Sequence, residues 1–205
     1  MPCVGNDVVD LKEPANAGKS KNPRFLKKIL TDPEIEFIKT AKKPEAALWS
    51  LWACKEAAYK VENKSFSRIP FVPRRWQVVF NKSQKDYTDG EVIIPGKGTV
   101  HIRLFSNLQY VHCVGADSPA VLDKLVWSVE RLPKEKEINP SLFLRDCLGK
   151  KLARNFSLNF HDIIIKRTKI NGELLWPRVY VGGKETDMDI SLSHDGRFVA
   201  YLYLY

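Results

Sequence analysis

Four short apolar runs between residues 75 and 116 constrain the fold more than any other feature of this chain. The runs are WQVVF, EVIIP, TVHIRLF and YVHCVGA, and Gly, Asp, Asn and Ser residues separate them. Their β-branched and aromatic residues favour strands, and the residues between them favour turns. The sequence therefore predicts an antiparallel meander. A helix is predicted just before it, from Glu45 to about Val61, by the spacing of apolar positions.

The second half of the chain follows a similar outline. Ser141 to Phe156 fits an amphipathic helix, and Asp162 to Lys169 alternates as a strand that runs into the hairpin signal Asn171-Gly172. The strands LLWPRVYV, MDISLSH and RFVAYLYLY complete the chain, and the proline-flanked segment PKEKEINP separates the halves. We therefore predict an α+β fold of two similar α/β lobes, residues 1–132 and 138–205, each an antiparallel sheet packed with a helix.

The composition limits the setting and the partners. With 205 residues and 44% hydrophobic content, the chain can bury a sizeable core. It has neither an apolar stretch long enough to span a bilayer nor an N-terminal signal sequence, so a cytoplasmic protein is expected. Its four cysteines are scattered and predict reduced thiols. The net charge of +9 favours an anionic partner: nucleic acid, a membrane surface, a phosphate-rich ligand or an acidic protein.

Two motifs in the first half carry acids and lysines. GNDVVDL places Asp7 where a strand ends or opens into a loop, and WACKEAAYK lies within the predicted helix. Trp52, Glu56 and Lys60 are spaced four residues apart, so they share one helix face. Taken singly, Asp7 is equally typical of a turn, and Glu56 with Lys60 is typical of a surface ion pair.

A third motif, SLSHDG near the end of the chain, adds phosphate-binding groups to these acids and lysines. It offers hydroxyl and imidazole groups suited to phosphate oxygens, from Ser193 and His194 among others. Two carboxylates bind a divalent cation through oxygen, and lysine and histidine neutralise the phosphates that the cation bridges. The three motifs together indicate a magnesium and pyrophosphate site.

The order of the three motifs resembles the 4′-phosphopantetheinyl transferase superfamily. The small holo-acyl-carrier-protein synthases of this family are single lobes that trimerise, whereas the surfactin-synthetase type fuses two lobes. This chain has the motif order of the small form and the length of the large one, which implies a lobe-swapped pseudodimer that is a monomer. The matching residues are Gly5, Asp7, Trp52, Lys55, Glu56, Ala57, Lys60, Ser193 and His194.

The resemblance implies a reaction and roles for these residues. Asp7 and Glu56 would hold Mg²⁺, and Lys60 would neutralise charge on the phosphate of the co-substrate, coenzyme A. Coenzyme A contacts are implied for Lys55, Lys60, Ser193 and His194. The 4′-phosphopantetheine moiety would pass to a serine of an acidic apo acyl or peptidyl carrier protein, with release of adenosine 3′,5′-bisphosphate. Glu56 or a metal-bound water would take the serine proton. Neither nucleic acid nor a membrane is expected as a partner.

The chain departs from the family pattern at several positions. Val9 stands where the larger type has an acid, and the next residue, Asp10, is expected on the opposite face of the strand. Asn6 replaces an aliphatic residue. Trp176-Pro177 stands in the hairpin where the larger type often pairs a basic residue with proline. The residues that would bind adenine and the 3′-phosphate are therefore open, with Arg145, Lys150, Lys151, Arg154 and Arg178 as candidates. The alternative function is a non-catalytic homologue that binds coenzyme A or a carrier protein; the presence of both Asp7 and Glu56 favours the enzyme.

Overall fold

A computed structural model describes residues 2–65, 69–134, 137–170 and 172–205. Helices and strands alternate along these residues in the order β1 (Val4–Asp10), α1 (Pro23–Ile29), α2 (Asp32–Thr40), α3 (Pro44–Ser65), β2 (Gln77–Ser83), β3 (Thr88–Ile94), β4 (Gly98–Ser106), β5 (Tyr110–Ala116), α4 (Pro119–Leu122), β6 (Val126–Arg131), α5 (Pro140–Phe156), β7 (Ile163–Ile170), β8 (Glu173–Val181), β9 (Lys184–Glu185), β10 (Asp189–Asp195) and β11 (Phe198–Leu204). Short 3-10 turns occur at Pro14–Asn16, Lys19–Lys21, Pro73–Arg75 and Phe160–Asp162.

The described strands form antiparallel sheets, and helices pack against them. The first sheet has the order β1-β5-β4-β3-β2, in which β2 to β5 are the predicted meander and β1 is the outer strand beside β5. A second sheet has the order β10-β11-β6, and a third has the order β7-β8-β9. The predicted α+β class with antiparallel sheets and packed helices is therefore confirmed.

Helix α3 covers the first sheet because its apolar residues recur on one face. Leu48, Leu51 and Val61 are buried in a core cluster with Val100 and Ile102 of β4. In the second half, α5 has the equivalent role. Leu144, Leu148 and Leu152 recur every four residues along α5 and form a separate buried cluster with residues of β10 and β11. Each half of the chain thus has a core of its own, with one long helix on an antiparallel sheet.

One strand of the predicted first lobe pairs with a strand of the second half. Val126–Arg131, which the prediction included in the lobe of residues 1–132, pairs with β11 and belongs to the second sheet. The physical reason is that β11 has two ladder edges: β10 fills one and β6 fills the other. The predicted hairpin residue Asn171 lies outside the described residues, although β7 and β8 do pair. No helix among the described residues is both long and apolar enough to cross a membrane.

Strands β1 and β10 lie side by side and join the two halves. The backbone N–H groups of Val4, Asn6 and Asp10 donate to the side chains of Asp189 (2.7 Å), Ser191 (2.9 Å) and Asp195 (2.8 Å). Each of these pairs is 185 residues apart in sequence, so the two strands run parallel in constant register. This joint brings the SLSHDG segment next to the GNDVVDL segment.

A buried ion pair reinforces the same joint from α3. The ammonium of Lys64 lies 2.9 Å from both carboxylate oxygens of Asp189 and also donates to the carbonyls of Val4 (2.6 Å) and Ile190 (2.7 Å). Both side chains are 5% exposed. Because Lys64 contacts groups on β1 and on β10 at once, it fixes the helix relative to both strands.

The close approach of β1 to α3 predicts the effect of a single methyl group. A Cβ on Gly5 would lie 2.1 Å from the carbonyl oxygen of Ala57, which is backbone and cannot move away easily. We expect Gly5→Ala to lower the free energy of unfolding by about 3 kcal/mol, as overpacking in cores does. Gly115, the partner of Gly5 in the β1–β5 ladder, is the matched control. Its Cβ would meet atoms no closer than 3.5 Å, so an unfolding curve that is unchanged for Gly115→Ala is expected.

A buried histidine on β5 predicts how stability depends on pH. His112 is fully buried beside the rings of Phe105 and Trp127, with centroids 6.2 and 5.1 Å away. Burial, together with the charge of Lys60, lowers the pKa of His112 from 6.5 to about 3. The unfolded chain therefore takes up a proton at His112 before the folded protein does, and stability is lost as the pH falls below the unfolded value.

The test compares denaturant unfolding of the protein and of the His112→Phe variant over a range of pH. Between pH 7 and pH 5 the protein should lose about 2 kcal/mol more of its free energy of unfolding than the variant does. Parallel pH profiles for the two proteins would contradict the assignment of this acid sensitivity to His112.

Candidate active site

Asp7 and Lys60 form the centre of the site. Asp7 lies on β1, and the ammonium of Lys60 on α3 is 3.1 Å from its Oδ1. The same ammonium donates to the backbone carbonyl of Asn6 at 2.6 Å. Both side chains keep some exposure, 14% for Asp7 and 27% for Lys60, so the pair faces an opening. The close contact of Gly5 with Ala57 on α3 also sets the distance between Asp7 and Lys60, because Lys60 follows Ala57 by about one helical turn.

Glu56 provides a second carboxylate beside Asp7. Burial and, to a smaller extent, the charge of Asp7 raise its pKa from 4.5 to about 7, against the opposing charge of Lys60. The pKa of Asp7 is also raised, chiefly by burial. Two partly buried acids near the ammonium of Lys60 leave an excess of negative charge when both are ionised. Such a group favours a cation.

Ser193 and His194 reach the same place from β10. The side chain of His194 is exposed. Ser193 is buried, and its hydroxyl has no hydrogen-bond partner within the described part of the chain. A cavity of about 490 Å³ contains both residues together with Asp7 and Lys60. The joint between β1 and β10 thus brings together four of the residues that the sequence predicted, from opposite ends of the chain.

A second, smaller cavity of about 150 Å³ adjoins the first. Asp7 and His194 line both cavities, whereas Glu56 lines only the smaller one of the two. Its remaining lining residues are Val8, Val9, Asn16, Trp49, Trp52 and Asp195. The two cavities therefore share Asp7 and His194 as lining residues.

The larger cavity contains an arginine that the sequence analysis missed. Arg167 of β7 lines it beside Arg145 of α5, which was a sequence candidate. Arg145 donates to the carbonyls of Ser141 (2.7 Å) and Ile165 (3.2 Å), and burial and the charge of Arg167 lower its pKa. Neither arginine has a carboxylate partner among the residues described here. Alternation in β7 was the available signal, since Arg167 follows the buried Ile165 on one face.

The other basic candidates are not brought to either cavity. Lys150 is an exposed residue paired with Asp146 at 2.6 Å, and Arg178 lies 3.5 Å from Glu185. Lys151 and Arg154 line neither space. Of the five basic residues considered for the adenine and 3′-phosphate, Arg145 alone lies in the site.

Lys55 requires a correction, because the structure does not bring it to the site. Its side chain is fully buried, and its ammonium lies 2.5 Å from the carboxylate of Glu34. It also donates to the carbonyls of Ile29 (3.0 Å) and Pro73 (2.9 Å). A lysine with all its donors engaged inside the core cannot contact coenzyme A. Lys55 instead ties α3 to α1, α2 and the turn before β2.

The departures from the family pattern have structural explanations. Val9 is buried in the first core cluster and also forms part of the smaller cavity's wall. Asp10 lies on the opposite face of β1, where Arg197 donates to its two carboxylate oxygens at 2.6 and 2.7 Å. Asn6 is fully buried, and its side chain lies 3.4 Å from His112. None of the three supplies a free acid to the site.

Asp7 and Glu56, the two acids left in the predicted site, suit a cation that substrate also helps to bind. In the described residues, no three His, Cys, Asp or Glu side chains form a group that could hold a metal ion. Asp7 and Glu56 are nevertheless adjacent, partly buried carboxylates next to an open cavity. Mg²⁺ is commonly held by one or two carboxylates together with substrate phosphates and water. The donor set therefore fits Mg²⁺ in the presence of a phosphate ligand.

Comparison with known proteins identifies the family. Residues 3–114, more than half of the chain, match the family model described as the 4′-phosphopantetheinyl transferase superfamily. The chain belongs to this superfamily. The matched region contains Asp7, Glu56 and Lys60, whereas Ser193 and His194 lie beyond it.

The chain is also similar to individual proteins whose names are known. It is 38% identical over 63 residues to a holo-[acyl-carrier-protein] synthase of Leptospira biflexa serovar Patoc. That alignment spans 31% of this chain and half the length of the relative. A crystal structure of the Thermotoga maritima holo-[acyl-carrier-protein] synthase has a TM-score of 0.38 and 17% identity, over 89% of this chain and 84% of that one. The family assignment rests on the family model.

The burial of Lys55 predicts a stability effect that a ligand contact would not produce. Lys55→Met leaves the carboxylate of Glu34 buried without its cation, so we expect the free energy of unfolding to fall by about 3–5 kcal/mol. The double variant Glu34→Gln/Lys55→Met should recover part of this loss. The control is Lys39→Met, which breaks an exposed pair with Glu36 and should cost no more than about 0.5 kcal/mol. Normal stability with weakened coenzyme A binding would instead restore the ligand role.

Proposed function

We propose that this superfamily member transfers the 4′-phosphopantetheine moiety of coenzyme A to a serine of an acidic apo acyl or peptidyl carrier protein. The observation that carries the proposal is the convergence of Asp7 and Lys60 from one half with Ser193 and His194 from the other around one cavity. Carboxylates for a cation and donors for phosphate oxygens occur there together. The names of the Leptospira and Thermotoga relatives agree with this reaction.

The larger cavity suits the nucleotide end of coenzyme A. Its volume of about 490 Å³ falls within the range of about 300–1,000 Å³ that is common for small-molecule sites. Arg145 and Arg167 are adjacent guanidinium groups, which recognise phosphate through paired donors. We assign them to a phosphate of the nucleotide. Lys60, Ser193 and His194 are assigned to the pyrophosphate, with the unpartnered Ser193 hydroxyl as a donor.

Asp7 and Glu56 are proposed to hold Mg²⁺ against the pyrophosphate. When bound there, the ion would neutralise phosphate charge and help to align the pyrophosphate. Lys60 supplies a fixed positive charge on the same side, held by Asp7 and by the Asn6 carbonyl. As the phosphate moves toward the transition state, this ammonium offsets the negative charge that shifts to the leaving oxygen.

The proposed step is an in-line displacement at the β-phosphate. The serine oxygen forms a bond to the β-phosphorus while the bond from that phosphorus to the oxygen of the α-phosphate breaks. Adenosine 3′,5′-bisphosphate leaves with the bonding electron pair. The serine proton passes to Glu56, directly or through a water molecule. With no cation bound, burial raises the pKa of Glu56 to about 7, so this carboxylate can take up a proton near neutral pH.

A monomeric, cytoplasmic pseudodimer of two lobes is part of the same proposal. Residues from both halves of one chain line the larger cavity, so the site can be completed without a second copy. The alternative is a homologue that binds coenzyme A or a carrier protein without turnover. The Asp7–Lys60 pair and the adjacent Glu56 favour turnover, since a binding protein has no need of a carboxylate poised to accept a proton.

The test incubates the protein with coenzyme A, Mg²⁺ and a panel of apo carrier proteins and measures carrier mass. One phosphopantetheine addition to a serine is expected. Glu56→Gln should slow transfer by at least about 100-fold, because the neutral amide neither accepts the proton nor balances a cation. The exposed Glu36→Gln is the matched control and should retain the full rate. A carrier mass that never changes across fatty-acid, polyketide and peptide carriers would reject the enzymatic function.

A further inference from the structure

The joint between β1 and β10 follows a regular pattern along β1. Successive residues of an antiparallel strand direct their N–H and C=O groups to opposite edges, so Val4, Asn6 and Asp10 point theirs away from the ladder with β5. Their N–H groups donate to the three side chains of β10 already described. Their carbonyl groups accept, in the same order, from Lys64 (2.6 Å), Lys60 (2.6 Å) and the side-chain amide of Asn16 (3.1 Å).

Val8 is the one residue of this series that breaks the pattern. Its N–H and C=O groups point to the same edge of β1 as those of Asn6 and Asp10. The constant separation of 185 residues places Ser193 opposite Val8. Within the described chain, however, neither main-chain group of Val8 bonds to β10 or to α3. The joint therefore has an opening at this position, the Val8–Ser193 gap.

The hydroxyl of Ser193 is left without a partner on the other side of the gap. The residue is only 6% exposed, and its hydroxyl oxygen accepts and donates no hydrogen bond among the described residues. Ser191, two residues earlier, has the same side chain and accepts from the N–H of Asn6 at 2.9 Å. A buried hydroxyl without a partner costs free energy, and a ligand oxygen that accepts from it recovers that cost.

The gap opens onto the candidate site. Val8 lines the smaller cavity, and Ser193 lines the larger one. The N–H of Val8 acts on the carboxylate of Asp7, where it lowers the pKa against the larger effect of burial. Asp7 does not depend on this donor, because the ammonium of Lys60 lies 3.1 Å from its Oδ1. A ligand oxygen can therefore take the Val8 N–H and leave Asp7 paired.

We propose that the Val8–Ser193 gap binds an oxygen of the phosphate that is transferred, with the main-chain N–H of Val8 and the hydroxyl of Ser193 as its two donors. The inference rests on the proposed transferase function and adds a main-chain donor to its site. Fixed donors stabilise the charge that is spread over the phosphate oxygens during transfer. The contacts of Asn6 and Asp10 hold β1 on both sides of Val8, so this N–H is in place before the ligand binds.

The first test follows valine amides by NMR in protein labelled with ¹⁵N-valine, with Mg²⁺ present throughout. Val8→Ile and Val4→Ile identify the two signals by their disappearance. Coenzyme A should shift the Val8 signal, because its N–H gains a phosphate oxygen. Val4 is the matched control and should not shift, since its N–H already donates to Asp189 at 2.7 Å. Adenosine 3′,5′-bisphosphate lacks the transferred phosphate and should leave both signals in place. A Val8 signal that ignores coenzyme A, or responds equally to the bisphosphate, overturns the inference.

The second test compares two serines of the SLSHDG segment by transfer rate and melting temperature. Ser193→Ala should slow transfer by about 100-fold, as the loss of one such donor does. Its melting temperature should not fall, because the hydroxyl has no partner to lose. Ser191→Ala is the matched control. It should lower the melting temperature, since the Asn6 N–H loses its acceptor, and should largely keep the transfer rate.

The outcomes separate this inference from the transferase function. If transfer occurs but Ser193→Ala keeps the full rate, or loses stability as Ser191→Ala does, the Ser193 hydroxyl belongs to the joint and the inference is overturned. If the unaltered protein modifies no carrier, the transferase function fails. The response of the Val8 amide to coenzyme A then decides on its own whether the gap binds this phosphate.

Discussion

The site depends on the joint between β1 and β10. Three backbone N–H groups of β1 donate to three side chains of β10 in constant register, and Lys64 bonds to Asp189 and to carbonyls on both strands. Asp7 comes from the first of these strands, and Ser193 and His194 come from the second. Without this joint the acids and the phosphate donors would belong to separate surfaces. A hydrogen bond to a buried carboxylate is stronger than one between neutral groups, so the acidic residues of β10 are effective at this position.

The lysines of α3 show how one residue type takes different roles on one helix. Lys55 is fully buried against Glu34, Lys64 is almost buried against Asp189, and Lys60 remains partly open beside Asp7. Buried lysines cost free energy unless a carboxylate and further acceptors surround them, and both buried ones have these partners. Lys60 keeps the exposure that a ligand requires. The helix thus supplies two buried structural charges and one partly open charge within ten residues.

Much of the fold and part of the site follow from local patterns. The meander and the long helix were predictable because strand and helix periodicities are local, and Glu56 and Lys60 were placed on one face by their spacing. Lys55 was assigned wrongly, although it follows Leu48 and Leu51 onto the buried face, because its partner Glu34 lies in another helix. Alternation in β7 was a local signal for Arg167, but the edge pairing of β6 depends on contacts between distant segments. A short stretch of sequence does not predict such contacts.

The joint between β1 and β10 also has a consequence for self-association. Each of the two strands is the outer strand of its sheet. Open strand edges are templates for pairing with other chains, and proteins commonly blunt them. Here side-chain acceptors on β10 occupy three N–H groups of β1, so the two edges block each other without forming a continuous ladder. The arrangement that assembles the site therefore also removes two surfaces on which aggregation could begin.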